Sequence, residues 1–193
     1  MKIAVLNGSP KGELSVTMQY VKYIQKKFPK HSMTFYNISQ NIKKIERDRS
    51  AFDTIIKGVE RADLVIWSVP LYVCLVPSQY KRFIEMIGEL KADHAFRGKY
   101  AAVITTSIHF YDHTAHNYMR AVTEDLGMKF AGAFSPDMFD LMKDDEREKL
   151  LTFAESVYTI VANKSAVTRS FQPLQGVKLK YSRTPGTKKI DQG

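Results

Sequence analysis

Cysteine is almost absent: Cys74 is the single one among 193 residues. One thiol forms no internal disulfide and supplies too few ligands for a cysteine-based zinc or iron–sulfur site. A reducing compartment follows, so a cytoplasmic location is the default expectation. Long apolar runs are missing too: nothing approaches the roughly 18 residues that span a bilayer, and the apolar stretch at residues 1–6 is too short for a secretory leader. Three glycine signatures are absent: G-x-G-x-x-G for dinucleotides, G-x-x-x-x-G-K-[ST] for nucleotide triphosphates, and a G-x-S-x-G nucleophile elbow around Ser9. Acidic excess is lacking as well, the net charge being +9. Residues 164–193 hold seven Lys/Arg against one Asp and carry +6 of it. Most of the positive charge sits in the tail, the body has no basic, aromatic-rich RNA-binding signature, and nucleic acid is not an expected partner.

What is present suits one α/β core. At 44% hydrophobic and 25% charged the composition is ordinary for a globular protein, and the length allows one domain with a tail. Residues 2–6 (KIAVL) read as a buried strand entering a turn. Residues 15–28 place Val16, Tyr20, Val21, Ile24 and Phe28 on one helical face. A second strand is expected at 33–37, residues 38–49 have weak periodicity, and Ser50 with Asp53 resembles a capping box opening a helix to about 61. The continuous apolar run 64–69 (LVIWSV) is a strand covered on both faces, with Trp67 in the core. Helix 78–89, strand 100–105, helix 114–126 stopped by Gly127 at C′, strand 129–134 and helix 144–163 follow. Five strands alternating with helices imply a parallel sheet with right-handed crossovers. The domain is expected to span 1–163, and 164–193 to be a basic tail or linker.

In an open sheet of this kind ligands bind beyond the carboxyl ends of the strands, so the loops after the first, third and fourth strands are the candidates. The first (Asn7 to Thr17) brings backbone N–H groups to a helix N-terminus, where a phosphate is favoured. Ser9, Ser15 and Thr17 add hydroxyls, Val16 lies in the first helical turn, and Lys11 adds a cation; the bland alternative is a capped tight turn. The second (Pro70, Leu71, Tyr72, Val73, Cys74, Leu75, Val76, Pro77) is apolar where water would wet it. That suits a flat ring such as a flavin that needs backbone hydrogen bonds at its edge, or else residues folded back on the core. Cys74 has no cation beside it in sequence to activate a thiolate. The third loop (Thr106, Ser107, Ile108, His109, Phe110, Tyr111, Asp112, His113) suits polar contacts to a flavin edge and stacking on its face. With His116 it also offers imidazoles and a carboxylate to a metal, but no second cluster completes a ligand set, and no metal site is expected.

Taken together these loops resemble the NAD(P)H-dependent FMN reductases of the flavodoxin-like superfamily. Gly8, Ser9, Pro10, Lys11, Ser15 and Thr17 match that family's G-S-P-(basic)-…-[SN]-x-T phosphate loop. Pro70 and Tyr72, then Pro77, Ser78, Gln79, Tyr80, Lys81, Arg82, Phe83 and Ile84, match its P-x-Y-…-(S/A)-Q-(L)-K-x-F-I segment. The resemblance implies a flavodoxin-like three-layer sandwich of strand order 2-1-3-4-5, with FMN held non-covalently by Ser9, Lys11, Ser15, Val16, Thr17, Pro70, Leu71, Tyr72, Val73, Thr106, Ser107, His109, Phe110 and Tyr111. It also implies an oxidoreductase that takes hydride from NAD(P)H and passes electrons to a small-molecule acceptor or a redox partner protein, and frequently a homodimer with the flavin near its interface. The alternative is a non-enzymatic FMN domain for electron transfer or redox sensing. Because the cofactor carries the redox chemistry, no catalytic acid or base is assigned. Glu85 and Met86 depart from the family's usual Asp and Arg, and the cysteine-rich stretch of iron–sulfur flavoproteins is absent.

Overall fold

The computed structural model describes residues 1–109 and 111–174. Five parallel strands form one sheet in the order β2-β1-β3-β4-β5: β1 Lys2–Asn7, β2 Ser32–Asn37, β3 Leu64–Pro70, β4 Tyr100–Thr106 and β5 Lys129–Phe134. The helices are α1 Val16–Lys27, α2 Ile38–Arg47, α3 Arg49–Glu60, α4 Ser78–Glu89, α5 Asp112–Asp125 and α6 Asp144–Ala162.

The period of two along each strand divides the core. Ala4, Leu6, Val65, Trp67, Ala101 and Val103 face the layer built by α2, α3, α4 and α5. Ile3, Val5, Leu64, Ile66, Ala102 and Ile104 face α1 and α6. The three central strands are apolar on both faces because helices cover both, as parallel sheets require. Trp67 is wholly buried, stacked on Phe96 at 5.7 Å and meeting Tyr80 edge-on at 6.0 Å. In β5 the register slips opposite Ala101 and Ala102. Ala131 is the extra residue, followed by Gly132 at φ +153°, which is why Phe130 and Ala133, three apart, serve the same core layer.

Three expectations change. Residues 38–47 are helical: Ile38, Ile42 and Ile45 form a stripe one residue wide that buries against the sheet, too thin to stand out among seven polar neighbours. The next helix opens at Arg49, and its cap is Asp48 rather than Ser50. Asp48 Oδ1 accepts from the backbone N–H of Ser50 at 2.9 Å and from its hydroxyl at 2.7 Å; Asp53 pairs with Arg49 instead. Helix α5 begins two residues early, at Asp112. Its end matches the expectation at Gly127, φ +72°, where Met128 N–H donates to the Thr123 carbonyl and Gly127 N–H to that of Glu124, a Schellman motif.

Beyond α6, the described start of the basic segment lies against the body. The Tyr100 hydroxyl donates to the Ser165 carbonyl at 2.8 Å, and Val167 joins the core layer of α1 and α6. Glu124, whose side chain is 3% exposed, pairs with Arg120 and accepts the N–H groups of Ser170 and Phe171. Arg169 in turn reaches the Glu124 carbonyl and the Asp125 carboxylate.

Candidate active site

The first loop leaves β1 through a gap that only glycine fits. A Cβ on Gly8 would lie 2.4 Å from Val69 Cγ1 and 2.9 Å from the Tyr80 ring, while Gly8 N–H donates to the Ser68 carbonyl at 2.7 Å. Tyr80, buried on α4, donates to the Leu6 carbonyl at 2.7 Å. The loop is therefore clamped to β3 and α4 before it turns. Asn7 Oδ1 accepts Ser9 N–H, Ser9 Oγ accepts Lys11 N–H at 3.2 Å, and the Ser9 carbonyl accepts Gly12 N–H. Ser15 then caps α1, its hydroxyl accepting from Met18 N–H at 3.2 Å. The Met18 and Gln19 N–H groups both have Ser15 as acceptor, whereas those of Val16 and Thr17 have no partner among the described residues. Two free N–H groups at a helix N-terminus, beside the hydroxyls of Ser9 and Ser15 and the exposed Lys11, form an anion-accepting cradle.

Thr106 joins this loop to the other two. Its hydroxyl lies 2.6 Å from that of Thr17, both buried, and its carbonyl accepts Leu71 N–H at 3.0 Å. The loop after β3 then turns back: Tyr72 N–H donates to the Leu75 carbonyl at 3.1 Å across Val73 (φ +42°) and Cys74 (φ +69°). Positive φ at both central residues is the geometry of a type I′ turn, which ordinarily selects Asn-Gly; for a β-branched valine it is an outlier. The turn holds Tyr72 and Val73 out at 51% and 79% exposure. Among the described residues most exposed large apolar side chains lie on the loops at this edge of the sheet, including Leu14, Ile108, Tyr111, Met138 and Phe139.

The loop after β4 is braced by Asp112. Its carboxylate accepts the hydroxyls of Ser107 and Ser135, each at 2.6 Å, and contacts His109 Nδ1 at 3.0 Å. Burial pushes the Asp112 carboxyl up, but these three partners outweigh it and hold it below the ordinary aspartate range. Thr105 extends the network, donating to Ser135 at 2.8 Å and meeting His116 Nε2 at 2.8 Å. Burial lowers the His116 imidazole, favouring its neutral form. Asp112 and His116 thus serve a hydrogen-bond network, and among the described residues no three His, Cys, Asp or Glu side chains are grouped to hold a metal.

Of the expected residues, Ser9, Ser15, Val16 and Thr17 share the first loop with exposed Lys11. Pro70, Leu71, Tyr72 and Val73 adjoin it through Thr106, and Ser107, His109 and Tyr111 stand on the third loop; Phe110 lies outside the described residues. Thr17 differs from expectation in one respect, its hydroxyl being engaged by Thr106. Asn7, Thr105, Asp112, Ser135 and the loop after β5, which pairs Asp137 with Ser107, were not among the expected site residues. The carboxyl-end rule applies to the fifth strand as well, and that signal was available.

The sequence profile described as NADPH-dependent FMN reductase matches residues 1–136. The chain belongs to this family. As an FMN reductase family member it is an NAD(P)H-dependent FMN oxidoreductase, with FMN as cofactor and NAD(P)H as reductant. No curated protein sequence matches it. The fold of the FMN reductase is shared with an NADH:FMN oxidoreductase in its apo form, at 18% identity and TM-score 0.67 over 82% of this chain and 89% of that one. It is shared also with the NAD(P)H:acceptor oxidoreductase FerB of Paracoccus denitrificans (16%, 0.59, 82% and 97%). A third is an FMN-dependent NADH-azoreductase of Bacillus anthracis in complex with FMN (14%, 0.56, 86% and 100%). The donor set fits the cofactor: the Val16 and Thr17 N–H groups and the Ser9 and Ser15 hydroxyls for one phosphate, an exposed apolar wall for a ring, and the carboxylates of the first and third loops engaged by donors, Glu13 by Lys22 and Asp112 by Ser107, Ser135 and His109.

Proposed function

We propose that FMN lies across the carboxyl edge of the sheet, its phosphate in the cradle of Ser9, Lys11, Ser15, Val16 and Thr17 and its ring against Pro70–Val73 and residues Thr106, Ser107, His109 and Tyr111. The observation that carries this reading is Thr106, which bonds to Thr17 on one side and Leu71 on the other and so makes three distant loops into one cleft. When bound, the flavin accepts a hydride from the nicotinamide and hands two electrons onward. The exposed Tyr72, Val73, Ile108 and Tyr111 favour a flat aromatic acceptor such as a quinone, which buries apolar area on docking. Apolar exposure this concentrated at one edge also favours a homodimer with that edge in the interface. The single cysteine supports a cytoplasmic location.

A hydrogen bond to a charged phosphate is worth about 1.5–3 kcal/mol. Flavin fluorescence quenching should therefore give FMN a Kd at least about ten-fold below that of riboflavin, and Ser9→Ala should erase most of that advantage while riboflavin binding stays nearly constant. Equal affinities, or equal losses, would place the phosphate elsewhere. Light scattering on the same preparation should give twice the chain mass; the monomer mass would remove the dimer.

A further inference from the structure

His109 is held more firmly than a surface imidazole requires. Its side chain is 55% exposed, yet Nδ1 sits 3.0 Å from Asp112 Oδ2, a carboxylate only 14% exposed. Its own N–H donates at 2.7 Å to Ser107 Oγ, the same hydroxyl that donates to Asp112 Oδ1. The backbone of His109 stands at φ +58°, a left-handed conformation that is uncommon outside glycine. Main chain and ring are thus fixed by one carboxylate and one hydroxyl. A carboxylate in the first turn of a helix is favoured by the helix dipole alone, and that role needs no imidazole. With Nδ1 turned to Asp112, Nδ1 carries the fixed proton, and Nε2, which has no partner among the described residues, is the nitrogen left to exchange one. The charged groups bearing on the ring are both acidic, Asp112 and, farther off, Asp140.

We propose that His109 is the proton donor to the electron acceptor and that Asp112, with Ser107 and Ser135, is its positioning group. The proposal rests on the cleft reading above. A quinone becomes a hydroquinone by gaining two electrons and two protons. NAD(P)H supplies a hydride, which amounts to two electrons and one proton, and leaves as NAD(P)+. The other proton comes from His109: the Nε2–H bond breaks, its electron pair stays on the ring, and an O–H bond forms on the reduced acceptor. Solvent then reprotonates the imidazole, so that NAD(P)H, one proton and quinone give NAD(P)+ and hydroquinone. Ferricyanide provides the contrast: two ferricyanides take one electron each from NAD(P)H, one proton is released, and none is delivered to the acceptor.

The test compares the two acceptors at saturating FMN in His109→Gln, His109→Gly and Asp112→Asn. Positioned acids contribute about 10²–10⁴-fold, so the ratio of quinone to ferricyanide kcat should fall about 100-fold in both His109 variants and about ten-fold in Asp112→Asn. His109→Gly suits the left-handed backbone and should fold even if the glutamine variant does not; added imidazole should raise its quinone rate at least about ten-fold. A readout independent of turnover is ¹⁵N NMR of the flavin-free protein, where His109 should show the Nδ1–H tautomer and lose that preference in Asp112→Asn. Quinone and ferricyanide rates falling together, no fall with quinone, no rescue by imidazole, or a tautomer indifferent to Asp112 would each overturn the proposal. Failure of the parent protein to bind FMN would overturn the cleft reading and this proposal with it.

Discussion

Thr17 has no exposed surface, and its hydroxyl meets that of Thr106 across 89 residues of sequence. Replacing it by valine keeps the shape but leaves the Thr106 hydroxyl buried without its partner, at a cost of about 1–3 kcal/mol. The bond also sets the phosphate cradle against the ring loops, so Thr17→Val should weaken FMN and riboflavin by the same factor, unlike Ser9→Ala. Quenching titrations with both ligands check this; a loss confined to FMN would make Thr17 a phosphate donor after all. The residue was legible in the sequence as a hydroxyl in a phosphate-type loop. Its partner was not, because pairing across the sheet depends on which strand ends lie side by side. Ser135 went unseen for the same reason: nothing in its own neighbourhood marks it, and only the adjacency of β4 and β5 brings it to Thr105 and Asp112.

At the scale of elements, all five strands were readable as short apolar runs alternating with helices, whereas their order followed only from the resemblance to the FMN reductases and is what the sheet has. Cap identity was harder to read. Asp48 and Ser50 are both good capping residues, and backbone geometry at 48 decides between them. The turn at Tyr72–Leu75 was not readable, since nothing about Val73 and Cys74 suggests a positive φ. Tertiary context imposes it, through Leu71 N–H on Thr106 and the returning bond from Tyr72. A strained residue of this kind costs of order 1–3 kcal/mol. Val73→Asn with Cys74→Gly supplies the residues the turn type favours and should raise the melting temperature by about 2–4 °C or more. It also deletes the apolar tip that would face the ring, so quinone turnover should fall even as stability rises. Unchanged melting would mean the turn is not strained.

At the scale of the whole molecule, residues 165–171 after α6 dock on β4 and α5. Glu124 is buried, which pushes its carboxyl up, but the N–H groups of Phe171 and Ser170 and the Arg120 guanidinium outweigh that and hold it below the ordinary glutamate range. A group so depressed contributes stability that is fully present above its unfolded value and lost as pH falls through the folded one. We therefore expect a chain ending at 163 to melt several degrees below one ending at 174, with that gap closing in acid. Equal melting of both truncations at neutral pH would make the docking inconsequential and favour a boundary near 163. The strand order carries one more consequence, for biosynthesis. β1 leaves the ribosome before either of its neighbours, sits between them, β2 and β3, and gains the second only from Leu64 onward. At roughly 5–20 residues per second, one edge of β1 waits on the order of 3–12 s for its partner. During that interval the nascent chain presents an unpaired strand edge flanked by apolar faces to any chaperone, and slower translation before residue 64 should lengthen its stay there.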